Sequence, residues 1–334
     1  MGFNVCVAGA TGNVGRTMIK ILEDRDFPVD RMRLLASSRS VGKKLSFKAA
    51  EIAVEELTLE SFEKGEIILS SPGSAISKWY VPSAVKSGAI VIDNTSAFRM
   101  DRDIPLVVPE VNPEEAHKHR GIIANPNCST IQMVVVLKPI HDAARIMRVV
   151  VSTYQAVSGA GIAAIEELRE QSNAIIAGNH YENRVFPHQI AFNCLPQIPQ
   201  KNAFDANFYS EEEMKMVNET RKIMNDHTIR ITATTVRVPV FTGHSESVNV
   251  ETEKKLSRDE AIELLKNAPG VTVLDDPDKS VYPLASDAVG KDDTFVGRIR
   301  EDISLDNALD MWIVSDNLRK GAALNAIQIA ELLI

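Results

Sequence analysis

Residues 4–15 read NVCVAGATGNVG: an apolar run of strand formers, then glycines at 9, 12 and 15, then the start of a helical pattern. A strand that runs straight into a glycine turn and a helix is the usual opening of a doubly wound α/β sheet. Glycines at that turn allow a tight bend. They also let a pyrophosphate approach the backbone N–H groups at the positive end of the helix. The spacing is GxxGxxG, not the strict GxGxxG fingerprint, so a simple glycine turn is the plain alternative. On the nucleotide reading Gly9, Thr11, Gly12, Asn13, Val14 and Gly15 all contact the cofactor.

Outward from this turn, short apolar strands alternate with helical stretches over the first 130 residues. The strands are NVCVAGA, MRLLAS, EIILSS, AIVIDN, PLVVPEVN and GIIANP, with helices over about 13–24 and 76–87. Near-continuous apolar strands separated by helices predict a parallel sheet covered on both faces. After residue 145 the texture changes. MRVVVSTYQAVSG, IRITATTVRVPVF and SVNVETE are longer and partly alternating, which suits a mostly antiparallel sheet. Helices are expected over about 163–177 and 211–225, the second opened by a capping box from Ser210 to Glu213. A Pro- and Asn-rich connection lies over 178–208. The last stretch, SDNLRKGAALNAIQIAELLI, reads as an amphipathic helix that packs back on the first domain. The expected fold is therefore an N-terminal Rossmann-like domain, residues 1–128 completed by a helix over 315–334, and an α+β domain over 129–314.

The totals agree. At 334 residues two domains are expected, and 44% hydrophobic with 25% charged residues is a globular balance. No apolar run approaches the roughly 18–20 residues of a membrane span. MGFNVCVAG lacks the features of a signal peptide, so a cytoplasmic location is expected. The net charge of −8 argues against nucleic acid or an anionic membrane as a partner. Three cysteines without CxxC spacing support neither a disulfide framework nor a metal site.

The end of the second strand bears on the cofactor. An acidic residue there suits NAD; here Ser37, Ser38, Arg39 and Ser40 stand instead, with Lys43 and Lys44 following. Hydroxyls with a guanidinium suit a 2′-phosphate, so NADP(H) is expected over NAD. Ser71 and Gly73, in SSPGSAIS after the EIIL strand, are further candidate contacts.

Residues 123–132, IANPNCSTIQ, place Cys128 at the mouth of a helix with Asn127 as a natural N-cap. The positive end of a helix favours thiolate. Cys6, inside a strand, and Cys194, in FNCLPQI, read as packing residues; for Cys128 alone, packing is the plain alternative as well. A nucleophile needs a base and anion-stabilising groups. Of seven histidines, His244 is the best base candidate, in the turn FTGHSES between two strands. Arg237, at the centre of TTVRVPV, is a candidate for binding a carboxylate, or else an edge-strand arginine in water. Glu219 and Lys222 are one turn apart, opposite the Met214, Val217 and Met224 stripe, and by spacing alone read as a surface ion pair.

GATGNVG, DNTSAFR, VPEVN, NPNCSTIQ, YQAVSGAG, FPHQIAFN, RVPVFTGHSES and DNLRKGAALNAIQ follow one another in an order that spans nearly the whole chain. In these motifs the sequence resembles the aspartate-β-semialdehyde dehydrogenase family. The resemblance implies Cys128 as the acyl-forming nucleophile, His244 as the acid/base and Gln155 as a positioner of the acyl group. It implies Arg237 on the substrate α-carboxylate, Glu219 on the α-amino group, and Arg99 and Lys222 on phosphate. Ser158 and Gly159 would contact substrate. Asn127 and the Cys128 N–H would steady the oxyanion, and Asn317 would lie near the nicotinamide. The implied reaction is NADPH-dependent reduction of aspartyl phosphate, with release of phosphate, in the biosynthesis of lysine, diaminopimelate, threonine, methionine and isoleucine. The implied assembly is a homodimer through the second domain, with pairing into a tetramer as a further option. Rival readings are a related acyl-phosphate reductase of the N-acetyl-γ-glutamyl-phosphate type, an acyl-CoA reductase of the malonyl-CoA type, and a catalytically silent NADP-binding relative.

Overall fold

A computed structural model describes residues 2–201 and 203–334. Met1, at the start of the stretch read for a signal peptide, and Asn202, within the connection over 178–208, lie outside the described residues. The chain divides into two compact units, Met1–Asn127 with Ala322–Ile334, and Cys128–Gly321.

The first unit contains β1 (Phe3–Ala8), α1 (Asn13–Asp24), β2 (Val29–Ala36), β3 (Lys44–Phe47), β4 (Ala50–Glu56), β5 (Ile67–Ser70), α2 (Ser74–Ser87), β6 (Ile90–Asp93) and β7 (Ile122–Ala124). The sheet order is β3-β4-β2-β1-β5-β6-β7. All pairs are parallel except the β3–β4 hairpin. Alternate residues of β1 serve opposite faces, as the two-residue period of a strand requires. Val5 and Val7 pack with Met18, Ile21 and Leu22 of α1 and with Leu324 and Ile327 of the C-terminal helix Leu324–Glu331. Cys6 and Ala8 pack with Tyr80, Val81 and Ala84 of α2. Burial on both faces explains why β1 reads as an unbroken apolar run. Each fully buried Leu or Ile of this kind contributes about 1.5–3 kcal/mol. The strand order reverses at β1, which lies between β2 and β5. Ligands of such sheets bind beyond the carboxyl ends of the strands at that reversal.

Three expectations change in this unit. PLVVPEVN forms no strand beyond a single bridge between Leu106 and Ala124. Pro105 and Pro109 bracket it, and the Asn112 side chain closes a local turn by accepting from Val108 N and donating to Leu106 O. The β3–β4 edge hairpin is an addition, hidden in the sequence by its charged residues. The returning segment begins at Ala322, not 315, and its helix is almost wholly buried, so it is not amphipathic.

The second unit contains α3 (Cys128–Ala144), β8 (Ile146–Gln155), α4 (Ile162–Ile176), α5 (Glu211–Ile223), β9 (Arg230–Arg237), β10 (His244–Thr252), α6 (Arg258–Lys266), β11 (Val271–Val273), α7 (Ala285–Ala288), β12 (Thr294–Glu301) and β13 (Ala308–Ser315). Its sheet runs β11-β12-β13-β10-β8-β9. The outer pairs β8–β9 and β11–β12 are parallel and the three inner pairs antiparallel, a mostly antiparallel sheet. Helix α3 packs on β8, β10, β12 and β13. His244, Glu246, Val248 and Val250 alternate along β10 and are all buried. The intervening Ser247 is exposed and lies opposite Trp312, whose ring meets Tyr154 at 5.3 Å. The capping box of α5 forms as expected: Glu213 N donates to Ser210 Oγ, and Ser210 N donates to Glu213 Oε2.

Candidate active site

Strand register assembles one row of polar side chains across the second sheet. Arg237 of β9 pairs with Gln155 of β8. Tyr154 pairs with Ser245 of β10, so the antiparallel register sets His244 beside Gln155. His244 in turn pairs with Ser315 of β13. Residues opposite one another share a face, and Arg237, Gln155, His244 and Ser315 are all buried. Cys128 is the first residue of α3, the helix that covers the neighbouring sheet surface.

Hydrogen bonds fix this row. Gln155 Nε2 donates to Ser129 Oγ at 2.9 Å and to Glu212 Oε1 at 3.3 Å, which ties β8 to the first turns of α3 and α5. Arg237 Nη1 donates to the Ala156 carbonyl at 2.6 Å. Its backbone pairs both ways with Leu195, so a loop covers the edge strand, and Arg237 is 3% exposed. Burial lowers the Arg237 pKa, while Glu212 and Cys128 raise it; the cation is thus within electrostatic reach of the thiol. The Ala156 N–H donates to His244 Nδ1 at 3.0 Å. Burial, reinforced by the Arg237 charge, holds the imidazole well below the ordinary histidine range.

Glycines let these groups approach closely. A Cβ at Gly159 would lie 3.1 Å from Arg237 Nη1 and 3.4 Å from His244 Nε2. A Cβ at Gly321 would lie 2.9 Å from the Cys128 Cβ and 3.6 Å from the Asn317 Cβ. Asn317 Oδ1 accepts from Gly243 N at 2.9 Å, and its Nδ2 donates to Ser158 Oγ at 3.0 Å. Cys128, Gln155, Ser158, Gly159, Arg237, His244 and Asn317 therefore form one connected cluster.

Several residues depart from their sequence reading. His244 is the first residue of β10, not a turn residue, and Arg237 ends β9 instead of lying at its centre. Glu219 is 1% exposed: the buried face of α5 runs through Glu212, Met216, Glu219, Thr220 and Ile223, so the surface-pair reading fails. Lys222 is half-buried on the same helix. Cys194 is exposed, because its loop turns Leu195 inward against Arg237 instead. Ser129, Ala156, Glu212, Ser315 and Gly321 carry no sequence signal of their own. Three of them nonetheless fall inside the quoted motifs: Ser129 in NPNCSTIQ, Ala156 in YQAVSGAG and Gly321 in DNLRKGAALNAIQ.

In the first unit, Arg99 is buried in the loop after β6 and its Nη2 donates to the Asn94 carbonyl at 3.0 Å. Asn127 is buried and immediately precedes α3. At the carboxyl end of β1, Gly9 has φ +84° and Gly12 N donates to its carbonyl at 3.0 Å. A Cβ at Gly15 would collide with that same carbonyl and lie 2.8 Å from Ala10 Cα. The third glycine thus permits close helix–strand packing. Thr11 Oγ1 lies 3.5 Å from Ser40 Oγ, which joins the glycine turn to the loop after β2. Val14 packs against the core. Ser37, Ser38 and Arg39 are exposed in that loop and Ser40 is buried. At the end of β5, Gly73 has φ +101° and Ser71 is half-buried.

These residues fit a dinucleotide. The first turn of α1 carries no acidic side chain, and Asn13 Nδ2 is a buried donor without a protein partner. Both favour an anion at the helix N-terminus. Among the described residues no group of His, Cys, Asp and Glu could hold a metal ion, and no helix is long and apolar enough to cross a membrane.

Comparison with known proteins matches residues 4–119 to the family model "Semialdehyde dehydrogenase, NAD binding domain" and 137–320 to "Semialdehyde dehydrogenase, dimerisation domain". The chain is 57% identical to aspartate-semialdehyde dehydrogenase of Aquifex aeolicus, covering 100% of this chain and 98% of that one. It superimposes with TM-score 0.96 on aspartate semialdehyde dehydrogenase II of Vibrio cholerae complexed with ASA, at 50% identity over 100% of this chain and 98% of that one. The Candida albicans aspartate semialdehyde dehydrogenase with NADP matches at TM-score 0.78 and 27% identity, covering 100% and 98%.

Proposed function

Since the chain belongs to the aspartate-semialdehyde dehydrogenase family, we propose that it reduces L-aspartyl 4-phosphate to L-aspartate 4-semialdehyde through a thioester on Cys128. The observation that carries this reading is the buried row Arg237–Gln155–His244, beside a cysteine at a helix N-terminus. Cys128 Sγ attacks the acyl carbon, and the carbon–oxygen bond to phosphate breaks. The helix N-terminus and the Arg237 cation favour the thiolate. Arg237 holds the α-carboxylate, Glu219 the α-amino group, and Ser158 and Gly159 border the substrate. Gln155, anchored to Ser129 and Glu212, fixes the acyl group. Arg99 and Lys222 bind the phosphate. Asn127 and the Cys128 N–H stabilise the oxyanion; losing one such donor costs about 10²–10³ in rate. The nicotinamide, when bound, supplies the hydride that takes the thioester to the aldehyde level. Collapse of the thiohemiacetal returns the Cys128 thiolate.

The cofactor lies on Gly9, Thr11, Gly12, Asn13, Val14, Gly15, Ser71 and Gly73, with Asn317 near the nicotinamide. Ser37, Ser38, Arg39 and Ser40 supply the preference for NADP(H), which the NADP-bound Candida albicans relative also supports. The protein assembles as a homodimer through its second unit, works in the cytoplasm, and supplies amino-acid biosynthesis from aspartate.

The test is a steady-state assay in the oxidative direction with aspartate semialdehyde, with and without phosphate, and with NADP⁺ or NAD⁺. Phosphate-dependent NADPH formation, faster with NADP⁺, is expected. Reduction of malonyl-CoA but not of aspartyl phosphate would replace this reading with the acyl-CoA reductase.

A further inference from the structure

Strand β13 ends at Ser315, and the next residue, Asp316, is a carboxylate that the reaction does not use. It is 4% exposed. A carboxylate buried that far needs hydrogen-bond donors on its oxygens, and here backbone N–H groups supply them. Oδ1 accepts from Leu318 N at 2.8 Å and from Arg319 N at 3.2 Å, within the turn that Asp316 begins. Oδ2 accepts from Gly290 N at 2.8 Å, in the loop between α7 and β12. The Asp316 carbonyl accepts from Arg319 N and Gly321 N, each at 3.2 Å.

The same loop is tied to the turn a second time. Arg319 Nε and Nη2 donate to Asp292 Oδ1 at 2.7 and 2.6 Å. A carboxylate of the turn thus holds the loop's backbone, and a carboxylate of the loop holds the turn's guanidinium. Two residues of the turn reach the site. Asn317 accepts from Gly243 N and donates to Ser158 Oγ. Gly321 approaches Cys128 so closely that a Cβ on it would lie 2.9 Å from the Cys128 Cβ. The segment that carries Gly290 and Asp292 begins with α7, and a Cβ at Gly243 would lie 2.7 Å from the Ala285 carbonyl oxygen. Residues 285–292 therefore meet both the glycine that precedes His244 and the turn that stands against Cys128.

We propose that Asp316 is a positioning residue for the nucleophile: with the Arg319–Asp292 pair it fixes the turn 316–321 on the 290–292 loop, and so sets Gly321 against Cys128. This deepens the acyl-transfer reading and rests on it for the reaction. The carbonyl bonds close the turn on itself, whereas the Gly290 and Asp292 contacts fix where the turn stands. An amide in place of the carboxylate would present one oxygen and one NH2, so the N–H groups on one side of it would face a donor. The turn would lose one anchor, and Gly321 would shift relative to Cys128. Asp292, in no motif, acts in the same device from the other side.

The test uses Asp316→Asn in the full-length protein. Should that variant not fold, Asp292→Asn, at a side chain 40% exposed, is read for the same changes at smaller size. Iodoacetamide alkylation is followed in a Cys194→Ser background, where Cys6 is buried and Cys128 is the thiol reported. A loosened turn uncovers the thiol, so alkylation at neutral pH should run at least about threefold faster in Asp316→Asn. A rate within about twofold of the parent, or a slower one, overturns the proposal. In steady-state NADPH formation from aspartate semialdehyde, kcat should fall by about tenfold with KM nearly unchanged; a change confined to KM overturns it. Combined with Gly321→Ala, which disturbs the same contact, the kcat losses should be less than multiplicative. Fully multiplicative losses would show that the carboxylate acts elsewhere. Alkylation uses no substrate, so it decides the role of Asp316 even if the semialdehyde is not oxidised, and an unchanged alkylation rate leaves the phosphate-dependent reaction standing.

Discussion

At Gly321 a single hydrogen faces the nucleophile where any other residue would place a carbon 2.9 Å from the Cys128 Cβ. Contacts that short do not persist, so Gly321→Ala must move either the turn at Arg319–Ala323 or the first residue of α3. A misplaced nucleophile acts on turnover, and a shift of about 1 Å can cost about 10²-fold. Gly321→Ala should lower kcat by about tenfold to a hundredfold with KM for the semialdehyde nearly unchanged, measured by steady-state kinetics. A change confined to KM would mean that the glycine serves substrate binding instead. Residues differ in how far sequence reveals them. In the sequence Cys128 and Arg237 stand out as candidates, a thiol at a helix mouth and a cation among β-branched residues, each with a plain alternative. Glu219 was not, since a carboxylate three residues from a lysine looks like any solvated helix pair. Its burial follows from packing on β9 and α3, which local spacing does not encode. Cys194 misled in the opposite sense, because the apolar letters around it belong to a loop that buries only Leu195.

Strand β10 carries two buried ionisable groups on one face, and they pull stability in opposite directions with pH. Glu246 is fully buried, and burial raises its pKa well above 4.5, with the Gln132 side chain acting the other way. The unfolded chain releases that proton near 4.5 and the folded chain does not, so stability is lost as pH rises above about 4.5. The loss stops growing only beyond the folded pKa. His244 has its pKa depressed in the fold, so its contribution is present above about 6.5 and is lost as pH falls below that value. Glu246→Gln removes the first dependence and leaves the second. Thermal unfolding followed between pH 5 and pH 8 should show the variant's Tm rising relative to the parent as pH increases, by about 2–4 °C per kcal/mol. A variant whose deficit is the same at both ends would contradict neutral burial of Glu246. The long elements were well read: α1 and the α5 capping box appear where pattern and chemistry put them. PLVVPEVN failed as a strand because its prolines remove ladder donors. His244 moved from turn to strand because Gly243, at φ +95°, bends the chain one residue before it.

The two units divide the work legibly. Glycines, helix N-terminus and a basic loop lie in the first, and the cross-sheet row lies in the second. In the second unit Tyr154 is 38% exposed and packs against Trp312. Both residues lie within 137–320, the span matched to the dimerisation-domain model. Sequence made both folds plain, because periodicity records burial. It could not show that Arg237, Gln155 and His244 stand in one row, since strand register between segments up to 89 positions apart, from residue 155 to residue 244, is set by tertiary pairing. The proposed reaction stands on a thioester at Cys128. Mixing the protein with aspartate semialdehyde and NADP⁺ in the absence of phosphate, then digesting it under acid for mass spectrometry, tests that directly. One aspartyl group on the peptide bearing Cys128, cleared when phosphate is added, is the predicted result. An unmodified Cys128 with NADPH formed, or an adduct that phosphate does not remove, would contradict it.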